Sequence, residues 1–483
     1  MRISRILTVV TVAVASLLPP SAHAAPAESR CSAISGAVCD TITVPLVRGR
    51  PVLGTTKVGY AVLPRRDRSR PSKGMVAVNP GGPGDSALAY ADAYAGLYAD
   101  LLTDHDLLLM DPRGVGDSSP VDCGITQITS RAGLLQAAED CGRSLGARSR
   151  GYTSAEIADD LDAIRARLGV PRLQLLGQSY GTYLMTVYAQ RHPRQVQSMV
   201  LSSAYPLDFD LWGRPNIRAV RRTLGLLCER SETRCDGPAV TADLEQLAGR
   251  LRHDPLPFTD QLGNPRLLDE ALLAALVYGA AGDAGTTLGD FPRILREAVH
   301  GANDDLVATA VELDPYQLSE PGLSPFNVGQ SFAVMCNDYP TEWSRQASFP
   351  VRRQQYDARR AALSERTFRP FSPAAWTSAP TDRGDVCIRW PDRAARPQHT
   401  GGPFPDVPVL VMSGELDPNT PTEEGRLAAA QFRRATVVEI PNAGHVAERE
   451  PSGCAANLQI TFLRTGRPGD TRCLASIPPI PVT

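Results

Sequence analysis

The chain has 483 residues, 50 basic against 52 acidic, for a formal charge of -2. That near balance excludes binding to nucleic acid or to an anionic membrane through bulk charge. The length exceeds a usual single domain, so one large core carrying an insertion, or two domains, is expected.

The first residues combine Arg2 and Arg5, an apolar stretch from Ile6 to Leu18, and Ser21-Ala22-His23-Ala24, the three parts of a secretory signal peptide with cleavage expected after Ala24. The apolar stretch is too short to span a bilayer, and no later window approaches the roughly 20 apolar residues a membrane helix needs. Cys31 follows Glu28-Ser29-Arg30 rather than an apolar lipobox, which argues against a lipid anchor. A soluble exported chain is expected. Its ten cysteines then read as disulfides rather than as a metal cluster. Their spacing suggests sequence neighbours as partners: Cys31 with Cys39, Cys123 with Cys141, Cys228 with Cys235, Cys336 with Cys387, and Cys454 with Cys473.

Strand-like apolar runs follow at Val58 to Leu63, Met75 to Val78, Asp106 to Met110, Leu173 to Leu176, Ser198 to Leu201, Val407 to Met412 and Thr436 to Ile440. Several are apolar on both faces, as parallel strands between helices are. Thr153 with Glu156 three residues later forms a capping box, and Ile157, Leu161, Ile164 and Leu168 mark the apolar face of the helix it opens. Alternation of strand and helix predicts a doubly wound, mostly parallel α/β sheet. Residues 206–405 break the rhythm, with helical stretches such as Asp269 to Val277 and Phe291 to Val299. They read as a mainly helical cap inserted between core segments 25–205 and 406–483. Such a cap would overhang the carboxyl ends of the strands, where open α/β sheets bind ligands.

Gly177-Gln178-Ser179-Tyr180-Gly181 stands between an apolar strand and a helix start. It reads as a nucleophile elbow, in which a serine occupies a strained strand-to-helix turn and small neighbours let the backbones approach. A serine hydroxyl needs a base, and the base an orienting carboxylate, in the chain order Ser, Asp, His. Asp417 follows the strand at Val409 to Met412, and His445 follows the next strand, so both lie on loops at strand ends. Glu415 is a rival acid, two residues nearer its strand. The oxyanion of acyl transfer needs backbone N–H donors. Tyr180 supplies one, and Gly82, in Asn79-Pro80-Gly81-Gly82-Pro83-Gly84, is the candidate for the other. Asp111 and Arg113, after the next strand, are expected to brace that loop. Serine, histidine and backbone donors complete this chemistry, so no metal or cofactor is implied.

Taken together, NPGGPG, DPRGVGDSS, GQSYGTY, GELDPNTP and PNAGH in this order resemble the secreted tripeptidyl aminopeptidase branch of the proline-iminopeptidase-like α/β-hydrolases. The resemblance covers nearly the whole mature chain and implies an α/β-hydrolase fold. It also implies a serine exopeptidase acting on peptides with a free N-terminus. Proline iminopeptidases proper usually show HGGPG, and Pro80 stands where that histidine would be, which argues against a strict preference for N-terminal proline. An aminopeptidase must hold a cationic amine, and Asp338, beside Cys336, is the candidate carboxylate. An esterase or other acyl-transfer enzyme with the same triad is the competing reading, and a catalytically silent surface protein the third.

Overall fold

The computed structural model describes residues 30–483 apart from 284, 317–324, 380–383 and 395. The expected signal peptide lies outside the described residues. Strands β1 (Val38–Pro45), β2 (Thr55–Leu63), β3 (Met75–Asn79), β4 (Asp106–Met110), β5 (Leu173–Gln178), β6 (Val196–Ser202), β9 (Val409–Gly414) and β10 (Ala435–Ile440) form one sheet in the order β1-β2-β4-β3-β5-β6-β9-β10. The last six of that order run parallel, while β1 and β2 pair antiparallel to their neighbours. All residues of β4, β5 and β9 are buried, which explains why they show apolar runs rather than alternation. Strand β1 was not foreseen because it is an edge strand, where only Ile42 and Val44 are buried.

Helices cover the sheet. Helix α1 (Ser154–Arg167) starts where expected: the Thr153 hydroxyl accepts the Glu156 N–H at 3.3 Å. Its buried Ile157, Leu161 and Ile164 join the main core, and it packs against α2 (Tyr180–Arg191), which follows β5.

Between β6 and β9, which are neighbours in the sheet, the chain leaves for about 200 residues. This stretch holds α3 (Arg214–Glu229), α4 (Glu270–Asp283), α5 (Val328–Asp338), further helices at Gly237–His253 and Thr286–Val299, and an antiparallel hairpin of β7 (Leu256–Thr259) and β8 (Pro265–Leu268). The hairpin escaped the sequence reading because each arm has four residues. A second hydrophobic cluster, with Leu224, Leu244, Leu273, Phe291 and Trp376, lies within the insertion. Helix α5 instead sends Phe332, Val334 and Met335 into the main core. Conversely, Val482 near the chain end packs in the insertion's cluster. The two parts therefore share their seams.

Five disulfides join Cys31 to Cys39, Cys123 to Cys141, Cys228 to Cys235, Cys336 to Cys387 and Cys454 to Cys473, the pairs expected from spacing. Among the described residues no helix is long and apolar enough to cross a membrane.

Candidate active site

Ser179 sits between β5 and α2 with φ 53° and ψ -125°, a conformation uncommon for a residue with a side chain. The turn tolerates it because both flanking glycines are needed. A Cβ on Gly177 would lie 2.3 Å from the Gly181 carbonyl oxygen, and one on Gly181 would lie 2.4 Å from that of Asn79. The Ser179 N–H donates to the Ser202 carbonyl of β6 at 3.0 Å, fixing the turn to the neighbouring strand.

The glycine loop after β3 packs directly on this turn. A Cβ on Gly81 would stand 2.7 Å from the Gln178 carbonyl and 3.4 Å from the Tyr180 nitrogen. Asp111 holds the far side of the loop: its Oδ1 accepts the Ser86 hydroxyl at 2.7 Å and the Leu88 N–H at 3.0 Å, and its Oδ2 accepts the Asp117 N–H at 2.9 Å. Burial pushes this carboxyl up to about 6 against those three bonds. Arg113 does not share the task expected of it. Its guanidinium pairs with Asp160 of α1 at 2.6 and 2.7 Å and donates to the Leu46 carbonyl and, at 2.8 Å, to the Gly151 carbonyl, so it ties the segment after β1 to α1.

Asp417 is fully buried on the loop after β9, and α6 (Thr422–Ala429) begins five residues later. Its Oδ1 accepts the N–H groups of Asn419 at 2.7 Å and Thr420 at 3.1 Å; its Oδ2 accepts the Thr420 hydroxyl at 2.7 Å and lies 2.9 Å from His445 Nδ1. Burial raises its pKa, but the His445 ring and the Thr420 donors outweigh it and hold the carboxyl below its ordinary value. Thr420 Oγ1 also stands 3.2 Å from His445 Nδ1. The histidine loop after β10 is pinned on two sides: the His445 N–H donates to the Gly282 carbonyl of α4 at 2.7 Å, and the Val446 N–H donates to Ser203 Oγ at 2.7 Å.

Ser179, His445 and Gly82 line one cavity of about 420 Å³ between the strand ends and the insertion. Tyr205, Phe209, Tyr278, Phe332 and Tyr339 make much of its wall apolar, while Asn419, Thr420 and Glu424 supply polar atoms on the histidine side. The structure thus gathers four expected residues, with Asp417 reaching the cavity through His445.

Asp338 is not on that wall. It is fully enclosed, its Oδ2 accepts the Ser154 N–H at 2.5 Å, and burial pushes it up to about 6. A carboxylate sealed under α1 cannot meet an incoming amine, so the expectation for this residue yields to geometry. Glu415, the rival acid, is taken by Arg230 in a two-pronged pair at 2.7 and 2.8 Å, leaving Asp417 as the histidine's partner. Sequence reading also missed Glu448, which is buried beneath the Ser179 turn and accepts Gln178 Nε2 at 2.5 Å and the Ser202 hydroxyl. Its place three residues after His445 was the available signal.

A mostly parallel sheet with a serine at a strand-to-helix elbow and an aspartate–histidine pair on later strand ends defines an α/β hydrolase, a serine hydrolase by class. Residues 75–227 match the family described as alpha/beta hydrolase fold, and residues 372–473 match the one described as TAP-like protein. The chain is 25% identical over 481 residues to the tripeptidyl aminopeptidase of Streptomyces lividans, covering 92% of this chain and 84% of the relative. It is 26% identical to the serine protease Hip1 of Mycobacterium tuberculosis, with 91% and 87% covered, and 27% identical to a carboxylesterase B of the same species, with 92% and 87% covered. The chain is thus a serine hydrolase of α/β-hydrolase fold, with its C-terminal part similar to the TAP-like proteins.

Proposed function

We propose that this protein is an exported serine peptidase of the aminopeptidase type, which releases short peptides, tripeptides in the simplest case, from a free N-terminus. The observation that carries the reading is one cavity shared by Ser179 and His445, with buried Asp417 bonded to the histidine's other nitrogen. In this mechanism Ser179 Oγ attacks the scissile carbonyl carbon while its proton passes to His445 Nε2. Asp417 holds the ring in the tautomer with the proton on Nδ1. The N–H groups of Tyr180 and Gly82 receive the developing oxyanion. Collapse breaks the C–N bond as His445 returns the proton to the leaving amine, and water, activated by the same histidine, hydrolyses the Ser179 ester.

The insertion acts as a cap that sets how much peptide enters, and a cavity of about 420 Å³ suits a few residues. Its aromatic wall favours neutral, apolar side chains next to the cut. Export through the segment ending at Ala24 fits the five disulfides, which form in oxidising compartments. A carboxylesterase activity is the second reading, favoured by the relative of that name.

The deciding experiment measures p-nitroaniline release from a tripeptide anilide, free or acetylated at its amine, by wild type and by Ser179→Ala. Cleavage of the free form alone, lost in the variant, is the expected result. Equal cleavage of both forms refutes the aminopeptidase reading, and ester hydrolysis without anilide hydrolysis moves the assignment to the esterase.

A further inference from the structure

Helix α3 belongs to the insertion, yet one of its faces is committed to the acid loop. Asn216, Thr223 and Arg230 stand seven residues apart, close to two helical turns each, with Arg230 at the C-cap, so they form one stripe. Asn216 Nδ2 donates to the carbonyls of Pro418 at 2.7 Å and Asn419 at 2.8 Å. The Thr223 hydroxyl donates to the Leu416 carbonyl at 3.0 Å. Arg230 donates through both Nη atoms to the two oxygens of Glu415, and its Nη1 also donates to Asn442 Oδ1 at 2.7 Å. Asn442 lies on the histidine loop, three residues before His445, and its own N–H donates to Glu415 Oε2 at 3.2 Å.

Residues 415, 416, 418 and 419 are therefore all held by this one stripe, while Asp417 in their midst is left to face His445. Asn216 and Thr223 are fully buried, so their bonds form away from water and fix loop carbonyls that would otherwise be orphaned. Arg230 adds what the other two do not: it joins the acid loop to the histidine loop. Its planar fork suits that geometry. The Cys228–Cys235 disulfide closes the turn that presents it, and within that turn the Ser231 hydroxyl donates to the Cys228 carbonyl at 2.7 Å.

We propose that the Asn216–Thr223–Arg230 stripe sets the register of Asp417 against His445, with Arg230 as the residue that locks the two loops together. These are positioning residues, acting through Asp417 and His445 without touching substrate. The inference rests on the Ser179, Asp417 and His445 reading given above.

The test compares Arg230→Met and Arg230→Lys with wild type on the free-amine peptide anilide, at matched concentrations of folded protein measured by circular dichroism. A misplacement of about 1 Å at reacting groups costs on the order of 100-fold, so kcat of Arg230→Met is expected to fall about 10- to 100-fold with KM within about twofold. Arg230→Lys, which keeps one charged donor, recovers part of the loss. The double variant Arg230→Met with Glu415→Gln loses no more than the worse single variant, because the two residues act as one unit. Wild-type kcat in Arg230→Met, or losses that multiply in the double variant, overturns the proposal. A selective rise in KM also overturns it, because it places Arg230 in substrate binding instead. Ser179→Ala run alongside separates the two failures: if Ser179→Ala is inactive while Arg230→Met is normal, only the stripe falls; if Ser179→Ala is active, the triad reading itself falls.

Discussion

Asp338→Asn should make the protein more stable in neutral solution and leave its stability in acid nearly unchanged. The wild-type carboxyl is sealed, with Oδ2 bonded to the Ser154 N–H and Oδ1 lacking a hydrogen-bond partner among the described residues, so burial lifts it from its ordinary value of 3.8 to about 6. A folded-state value above the unfolded one means the folded protein binds the extra proton. The associated stability is full below about pH 4 and is lost as pH rises through 6. The gap corresponds to at most about 3 kcal/mol at 1.36 kcal/mol per pH unit. Asparagine keeps the acceptor and carries no charge, so it mimics the protonated acid at every pH. Melting temperatures of both proteins at pH 4 and pH 7.5 check this: the difference, variant minus wild type, should grow in the variant's favour between the two. A difference independent of pH refutes the assignment of a buried, reluctantly ionised carboxyl. The same variant should leave KM for free-amine substrates unchanged, whereas a residue that grips the amine would raise it.

Other perturbations follow from the same geometry. Replacing Cys336 and Cys387 by alanine removes a crosslink spanning 51 residues, for which chain entropy gives about 4 kcal/mol, seen as a lower melting temperature; an unchanged value would contradict it. Gly181→Ala drives a Cβ to 2.4 Å from the Asn79 carbonyl, so it should abolish anilide hydrolysis even where soluble protein is obtained. Asp111→Ala orphans donors at Ser86, Leu88 and Asp117 and should cost about 1–3 kcal/mol or more in urea unfolding, together with a lower kcat. Asp417→Asn should cut kcat on the order of 10⁴-fold, and Glu415→Gln far less, which steady-state kinetics on both variants would reveal.

The parallel strands were legible because burial on both faces demands apolar residues throughout, as in Leu107 to Met110 and Val409 to Met412. The elbow was legible for a different reason: its glycines answer to contacts within a few residues of Ser179 or on the adjacent strand. Cysteine partners could be read off because four of the five crosslinks close loops of fewer than 20 residues. What escaped depends on distant parts of the chain meeting. Nothing local distinguishes Asn216, Thr223 and Arg230 from solvated helix residues; their partners lie about 190 to 210 residues away. Asp338 failed for the same reason, since its cover, Ser154, comes from a helix 184 residues earlier. The choice between Asp417 and Glu415 was open in sequence and turned on which carboxylate Arg230 reaches.

Strands β6 and β9 pair across the insertion, Ser202 opposite Met412. Closing a loop of roughly 200 residues costs about 2 kcal/mol more chain entropy than closing one of about 20, before any contact repays it. Packing of the insertion on the apolar cluster that it shares with Val482 shortens the effective loop and so lowers that cost. Ser179 lies on one side of that closure, and Asp417 with His445 on the other. Synthesis therefore reaches Ser179 more than 200 residues before it reaches Asp417 or His445, and the support that Glu448 gives the Ser179 turn arrives last of all.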